Sequence, residues 1–314
     1  MSVNINPAKV ESFFEEQLKV WPLAAANFEA LRKVEVKEFM VGDWPVKVQF
    51  NPARAVSSGA KVDAASIKQR KCFLCGCNRP EVQGGIPWGD GYEILVNPFP
   101  IFPRHLTIPN VNHCDQRIAG RISHMMALAW DLKDYTVFYN GPQCGASAPD
   151  HFHFQAGNSD FLTLPGAIEQ CDLKTVKTLG ESVLALADEL PIKVFVIDTP
   201  THDFASGTAL FNALYEAMPL KEGQPEPMMN ILAYTTPLGV RIVVIPRKKH
   251  RPACYGTEGD DCMMLSPASV DLGGVFITPR LVDYKRMDAD IFKSVIEELT
   301  LNNQEVEEIA ANVR

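Results

Sequence analysis

The chain has 314 residues, 46% apolar and 22% charged, with a net charge of −8 and a pI near 5.4. This is the composition of an ordinary globular protein of one large or two medium domains. No run of eighteen apolar residues predicts a membrane span, and the acidic balance argues against long nucleic acid as a partner. The N-terminal Met-Ser-Val-Asn-Ile-Asn lacks the charged and apolar regions of a signal peptide, and the eight cysteines are read as metal ligands or free thiols of a cytoplasmic protein.

Residues 7–32 read as helix, with Phe13, Phe14, Leu18, Val20, Trp21 and Leu31 at near-helical spacing. Val46–Phe50 alternates as a strand. A basic, small-residue segment follows, in which Arg54, Ser57, Ser58, Gly59 and Lys61 offer a guanidinium, hydroxyls, an ammonium and backbone donors to a phosphate. Lys68, Arg70 and Lys71 continue it, and the competing reading is a solvated basic loop. Cys72-Phe-Leu-Cys75 then places two thiols at the spacing that clasps a zinc ion, or that forms a redox dithiol. Tyr92–Val96 and His105–Ile108 read as paired strands across a Pro-rich turn, with His105 a core histidine or a substrate contact.

Residues 116–133 read as a helix and Tyr135–Tyr139 as a strand. The strand leads into Asn140-Gly-Pro-Gln-Cys-Gly-Ala-Ser-Ala-Pro149, a small-residue loop that lets a phosphate approach the backbone. Asn140, Gly145 and Ser147 are its candidate contacts. After Asp150 comes His151-Phe-His-Phe-Gln155, the most informative run of the chain. Period-two alternation puts His151, His153 and Gln155 on one face and both phenylalanines on the other. A zinc site needs two ligands beyond Cys72 and Cys75, and His113 and His151 are the candidates, with Cys77 and Cys114 as spare thiols. Asp150 is a candidate for orienting a ligand ring by a hydrogen bond.

Beyond the run, helices are expected at about 169–188 and 288–312, with a hairpin of Met228–Tyr234 and Val240–Pro246 between them. The basic run Arg247–Arg251 reads as a solvated loop or a second phosphate patch, and the Ser266–Gly274 loop as a pocket wall or an ordinary turn. The fold class expected is α+β, an antiparallel sheet with flanking helices, arranged as two related halves, 1–190 and 191–314. The second half has no His-x-His-x-Gln, so a single site per chain is expected, and internal pairing of the halves favours a monomer over a homodimer.

With the Gly145–Pro149 loop before His151–Gln155, and the order Cys72, Cys75, His113, His151, residues 45–160 resemble the transferase branch of the histidine-triad superfamily. That branch holds galactose-1-phosphate uridylyltransferase, diadenosine tetraphosphate phosphorylase and GDP-galactose phosphorylase. The resemblance implies a structural zinc on the two cysteines and two histidines. It also implies a nucleotidylyltransferase that works through a nucleotidyl-histidine at His153, with Gln155 donating to a phosphate oxygen. The substrates expected are small, a nucleotide-sugar or dinucleoside polyphosphate, with phosphate or a sugar 1-phosphate as acceptor. Rival readings are a phosphohydrolase of the same superfamily, against which Gln155 in place of a third histidine argues, and a non-catalytic zinc-stabilised binding module.

Overall fold

The computed structural model describes residues 5–55, 64–256, 259 and 261–314; the candidates Ser57, Ser58 and Lys61 lie outside them. The N-terminal segment is two helices, α1 (Pro7–Val20) and α2 (Pro22–Leu31), and not one. Asn6 caps α1 by accepting from the Lys9 N–H. Pro22 has no N–H to continue the helix and pushes the preceding residue to extended backbone, and Trp21 sits at φ −117°, ψ 91°. Then come β1 (Glu35–Val41), β2 (Trp44–Phe50), α3 (Ala64–Gln69), β3 (Ile86–Trp88), β4 (Tyr92–Val96), β5 (His105–Pro109), α4 (Ile122–Asp131), β6 (Tyr135–Asn140) and β7 (His153–Asn158). The C-terminal part holds α5 (Leu164–Ile168), β8 (Lys174–Leu179), β9 (Ser182–Ala187), β10 (Val194–Thr199), α6 (Phe204–Ala217), β11 (Met229–Thr236), β12 (Gly239–Pro246), α7 (Ser269–Leu272), β13 (Val275–Thr278), α8 (Leu281–Arg286), α9 (Ala289–Leu299) and α10 (Asn303–Asn312).

One departure from expectation is large. Residues 169–188, expected as a helix, hold the β8–β9 hairpin. The two strands pair antiparallel from Leu179↔Ser182, so Gly180 and Glu181 form a two-residue turn, with Gly180 at φ 57°. The β-branched Thr175, Val176, Thr178 and Val183 favour this pleated state, and Gly180 supplies the positive φ that the turn demands.

Ten strands form one antiparallel sheet in the order β3-β4-β5-β7-β6-β11-β12-β10-β9-β8, and β1-β2-β13 form a small second sheet. Alternation sorts the large sheet into two faces. Ile94, Val96, Leu106, Ile108, Val137, Tyr139, Phe154 and Ala156 point into one apolar core, covered by α1, α2, α4, α6 and α10. Phe138, Val194, Val196, Leu232, Tyr234, Val243 and Ile245 point the other way. There they pack against Trp44, Val46, Val48, Phe276 and Phe292 of the small sheet and α9. The architecture is α+β, as the sequence implies. No helix among the described residues is long and apolar enough to cross a membrane.

Candidate active site and metal centre

The second face is not covered everywhere. Over β4, β5, β7 and β6 it opens into a cavity of about 690 Å³. The same period-two pattern that buries Phe154 turns His153 and Gln155 into this space, beside Leu95, Thr107, Phe138 and Asn140. Gly145 and Ser147 of the small-residue loop line it, as do Arg54 and Arg70. The Ser266–Gly274 loop is a wall and not a distant turn, since Ser266, Ala268, Val270 and Asp271 face the same space. Gly145 is required there: its φ is 96°, and a Cβ would stand 2.5 Å from that of Ala268.

His153 is buried, and its hydrogen bonds fix its proton. Nδ1 lies 2.9 Å from the backbone oxygen of His151. A carbonyl only accepts, so in the neutral ring Nδ1 carries the hydrogen and Nε2 the lone pair. Burial, first of all, lowers the His153 pKa to about 4, so the ring is neutral near pH 7. Gln116 clamps the strand entrance: its Oε1 accepts from the His153 N–H at 2.8 Å, and its Nε2 donates to the carbonyls of Asn140 and His153.

Just before β7, Cys72, Cys75, His113 and His151 bring one ligand atom each to within 4.8 Å of one another. Cys72 Sγ is 3.2 Å from His151 Nδ1, and Cys75 Sγ is 3.3 Å from His113 Nδ1 and 3.5 Å from His151 Nδ1. A tetrahedral ion with metal–sulfur bonds of about 2.3 Å and metal–nitrogen bonds of about 2.0 Å keeps its ligand atoms about 3.3–3.8 Å apart. The donor set and its spacing therefore fit a metal ion. The second nitrogen of His151 is 2.7 Å from the Asn110 carbonyl, which orients the ring. Burial opposes ionisation of Cys72, but hydrogen bonds from His151 and from the N–H groups of Leu74 and Cys75 outweigh it and bring its pKa to about 6. Asp150 does not orient His151. Its Oδ1 takes Arg70 at 2.6 Å, and its Oδ2 stands 4.0 Å from His113 Nε2.

Other candidates sort into ligands and struts. Arg54 lines the cavity and donates to the Phe99 carbonyl at 2.8 Å. Asn140 is mainly a strut, because its Oδ1 accepts from Asn230 Nδ2 and from the N–H and hydroxyl of Ser269. The cations of the 247–251 run are engaged within the protein, Arg251 donating to Ser266 Oγ at 3.0 Å. Arg247 is buried, donating to Asn230 Oδ1 and to the carbonyls of Pro267, Lys249 and His250, while Lys248 and Lys249 pair with Glu305 and Glu298. The cavity also contains residues that carried no signal in the sequence: Trp21 and Leu23 from the α1–α2 bend, Phe73 and Leu74 between the thiols, and Asn97. Only the fold brings them together.

A profile for a family described as a domain of unknown function (DUF4922) matches residues 13–158, the span that holds both thiols and the His151–Gln155 run. No match emerges among curated protein sequences. Among solved structures, yeast Ap4A phosphorylase Apa2 superposes with a TM-score of 0.59 at 18% identity, covering 90% of this chain and 97% of that one. The same yeast enzyme in complex with AMP gives 0.57 at 19% identity over 91% and 97% of the two chains. Its complex with Ap4A gives 0.56 at 18% over 90% and 97%. The chain thus has the fold of the yeast Ap4A phosphorylase, which is the fold implied by its resemblance to the histidine-triad transferases.

Proposed function

We propose that the protein is a nucleotidylyltransferase acting on a dinucleoside polyphosphate or a nucleotide-sugar through a nucleotidyl-His153 intermediate. The observation that carries this reading is the His153 ring: neutral, with Nδ1–H held by the His151 carbonyl and Nε2 bearing the lone pair beside a 690 Å³ cavity. In the first half-reaction, the Nε2 lone pair attacks the α-phosphorus. The P–N bond forms as the bond to the bridging oxygen breaks, and the leaving phosphate carries off that electron pair. In the second, an oxygen of inorganic phosphate or a sugar 1-phosphate attacks the same phosphorus and the P–N pair returns to Nε2. The Nδ1 proton stays on the ring, held by the His151 carbonyl, throughout. The Gln155 amide and the backbone of the Gly145–Ser147 loop donate to the phosphate oxygens as charge builds. Arg54 and Arg70 neutralise the flanking phosphates, and the apolar side chains among the cavity lining, Trp21, Leu23, Phe73 and Leu74, offer surface to the base.

Zinc is the metal proposed for Cys72, Cys75, His113 and His151, a closed donor set of two sulfurs and two nitrogens whose contribution is structural. The thiolates it needs suit a reducing, cytoplasmic setting. We read residues 1–190 and 191–314 as two related halves of one monomer, the first bearing the chemistry and the second closing the cavity.

Intact-mass spectrometry tests the intermediate, after incubation with Ap4A and with ADP-, GDP- and UDP-sugars. The expected result is an acid-labile gain of one nucleoside monophosphate with one of these donors, absent in His153→Ala. Turnover that survives His153→Ala undiminished overturns the reading; free monophosphate formed without any acceptor converts it to a hydrolase.

A further inference from the structure

Gln155 can serve a phosphate only if its NH2 group, and not its carbonyl oxygen, faces the cavity. An amide has two ends of nearly equal shape, so something must choose between them. The choice is made first beneath the cavity floor, by His105. His105, fully buried on β5, accepts the Ile101 N–H on Nδ1 at 3.1 Å. A nitrogen that accepts has no hydrogen, so the one ring proton of neutral His105 sits on Nε2. Burial, with the charge of Arg54 adding to it, depresses the His105 pKa to about 3 and keeps the ring neutral. Nε2–H lies 3.1 Å from Gln155 Oε1.

A second donor aims at the same oxygen. Asn97 accepts the Phe99 N–H on Oδ1 at 2.9 Å, which fixes its own amide. Its Nδ2 donates to Thr107 Oγ1 at 2.9 Å and stands 3.5 Å from Gln155 Oε1. Turning Gln155 over would set its NH2 against two donors. The His105 ring cannot turn to accommodate it, because Phe102 and Phe138 hold it at centroid distances of 5.3 and 6.0 Å. Phe102 is seated in turn on Gly157, the register partner of His105, where a Cβ would lie 2.2 Å from its ring.

We infer that His105 is a positioning residue: with Asn97 it relays the backbone N–H groups of Ile101 and Phe99 into the polarity of the Gln155 amide, so that the site presents a donor to phosphate. The inference rests on the proposed phosphate contact of Gln155, and two measurements separate its failure from the failure of that reading. The first needs no substrate. Nitrogen NMR of the histidine rings in the wild-type protein at pH 7 is expected to show His105 neutral with the proton on Nε2. An Nδ1–H or doubly protonated ring overturns the inference, whatever the enzyme acts on.

The second is a kinetic cycle with Ap4A and inorganic phosphate. His105→Asn keeps an acceptor for Ile101 in place of Nδ1 and deletes the donor to Gln155. It is expected to lower kcat by about 10²-fold, the scale of one lost transition-state donor, with KM changed by less than about threefold. Gln155→Ala added to His105→Asn should cost nothing further, whereas independent losses that multiply overturn the inference. Should His105→Asn fail to fold, His105→Gln, which places an amide nitrogen near the position of Nε2, is expected to retain more activity than His105→Ala. Equal losses in those two count against the relay.

Discussion

The two flanks of the ten-stranded sheet share one backbone pattern and differ in what covers them. On the β11-β12-β10 flank, the second face is closed by the small sheet and α9, and Leu232, Val243, Ile245, Val194 and Val196 meet Trp44, Val46 and Phe292. The one arginine of β12, Arg241, is neutralised by a fork onto Asp198 at 2.6 and 2.9 Å and by Glu169. On the β4-β5-β7-β6 flank, the same face carries Thr107, His105, His153, Gln155 and Asn140 and is left open over about 690 Å³. The difference teaches that the sheet is a neutral platform. The candidate site lies where polar residues occupy the second-face positions and the covering layer is withheld.

The largest expected effect breaks the polar flank at its centre. His153→Ala is expected to lower nucleotidyl transfer by at least about 10⁴-fold, since removing a nucleophile disables the whole catalytic unit. Thermal unfolding should move little, because the ring's polar contacts are its own strand backbone and the cavity. Single-turnover assays on protein of matched stability check both halves of the statement.

Next in size is the candidate metal centre, whose ligand set joins the Cys72–Cys75 loop to that flank. Cys75→Ser removes one of four donors, and elemental analysis is expected to fall from one zinc per chain to well under half. Because the His151 carbonyl holds the His153 Nδ1–H, loss of the metal should also slow adduct formation. Full activity in zinc-free protein would uncouple the two.

Much of this flank was legible in the sequence, for physical reasons. The run at 151–155 carries the period of a strand in its side chains, although the strand itself begins at His153. The Cys72–Cys75 spacing with histidines downstream marks a metal site, while the meeting of these four rather than of Cys77 or Cys114 rests on the fold. His105 reads as a buried strand residue and is one. Its contact with Gln155 stayed hidden because it depends on the register of β5 against β7, Thr107↔Gln155, which no local pattern encodes. The opposite flank was harder. By spacing alone Val176, Leu179, Val183 and Leu186 fit a helix as well as a strand, and it is the β-branched side chains and the Gly180 turn that separate the two. The apolar lining contributed by Trp21 and Phe73 was invisible, because both come from segments far from β7 in the chain.

The junction of the flanks gives a pH test. Glu226 is buried where β6 meets β11, its oxygens accepting from the Tyr139 hydroxyl at 2.6 Å and the Ile118 N–H at 2.8 Å. Burial raises its pKa from 4.5 to about 7. The folded state thus holds this proton where the unfolded chain has released it, so the Glu226 contribution to stability is unchanged below pH 4.5 and falls as pH rises from 4.5 to 7. The loss levels off above that at about 3 kcal/mol. Denaturant titrations between pH 5 and 8 should show the stability of wild type relative to Glu226→Gln falling as pH rises, on top of the opposite trend that the buried, neutral His105 and His153 give both proteins. A difference between the two proteins that is flat with pH rejects the shifted carboxyl.

The smallest effect belongs to the helix layer, where chemistry should be indifferent. Asn302 caps α10 in a reciprocal box: its side chain accepts from the Glu305 N–H at 3.0 Å, and Glu305 Oε2 accepts from the Asn302 N–H at 2.8 Å. Asn302→Ala removes the first of these bonds and leaves a helix-end donor to water, at a cost of about 1 kcal/mol. α10 buries Val306 and Ile309 in the core on the opposite side of the sheet from the cavity. The denaturation midpoint should therefore fall while kcat and KM stay within experimental error. A change in kcat comparable to the fractional loss of stability would mean that the sheet transmits strain from its helix layer to His153, and that the platform is not neutral.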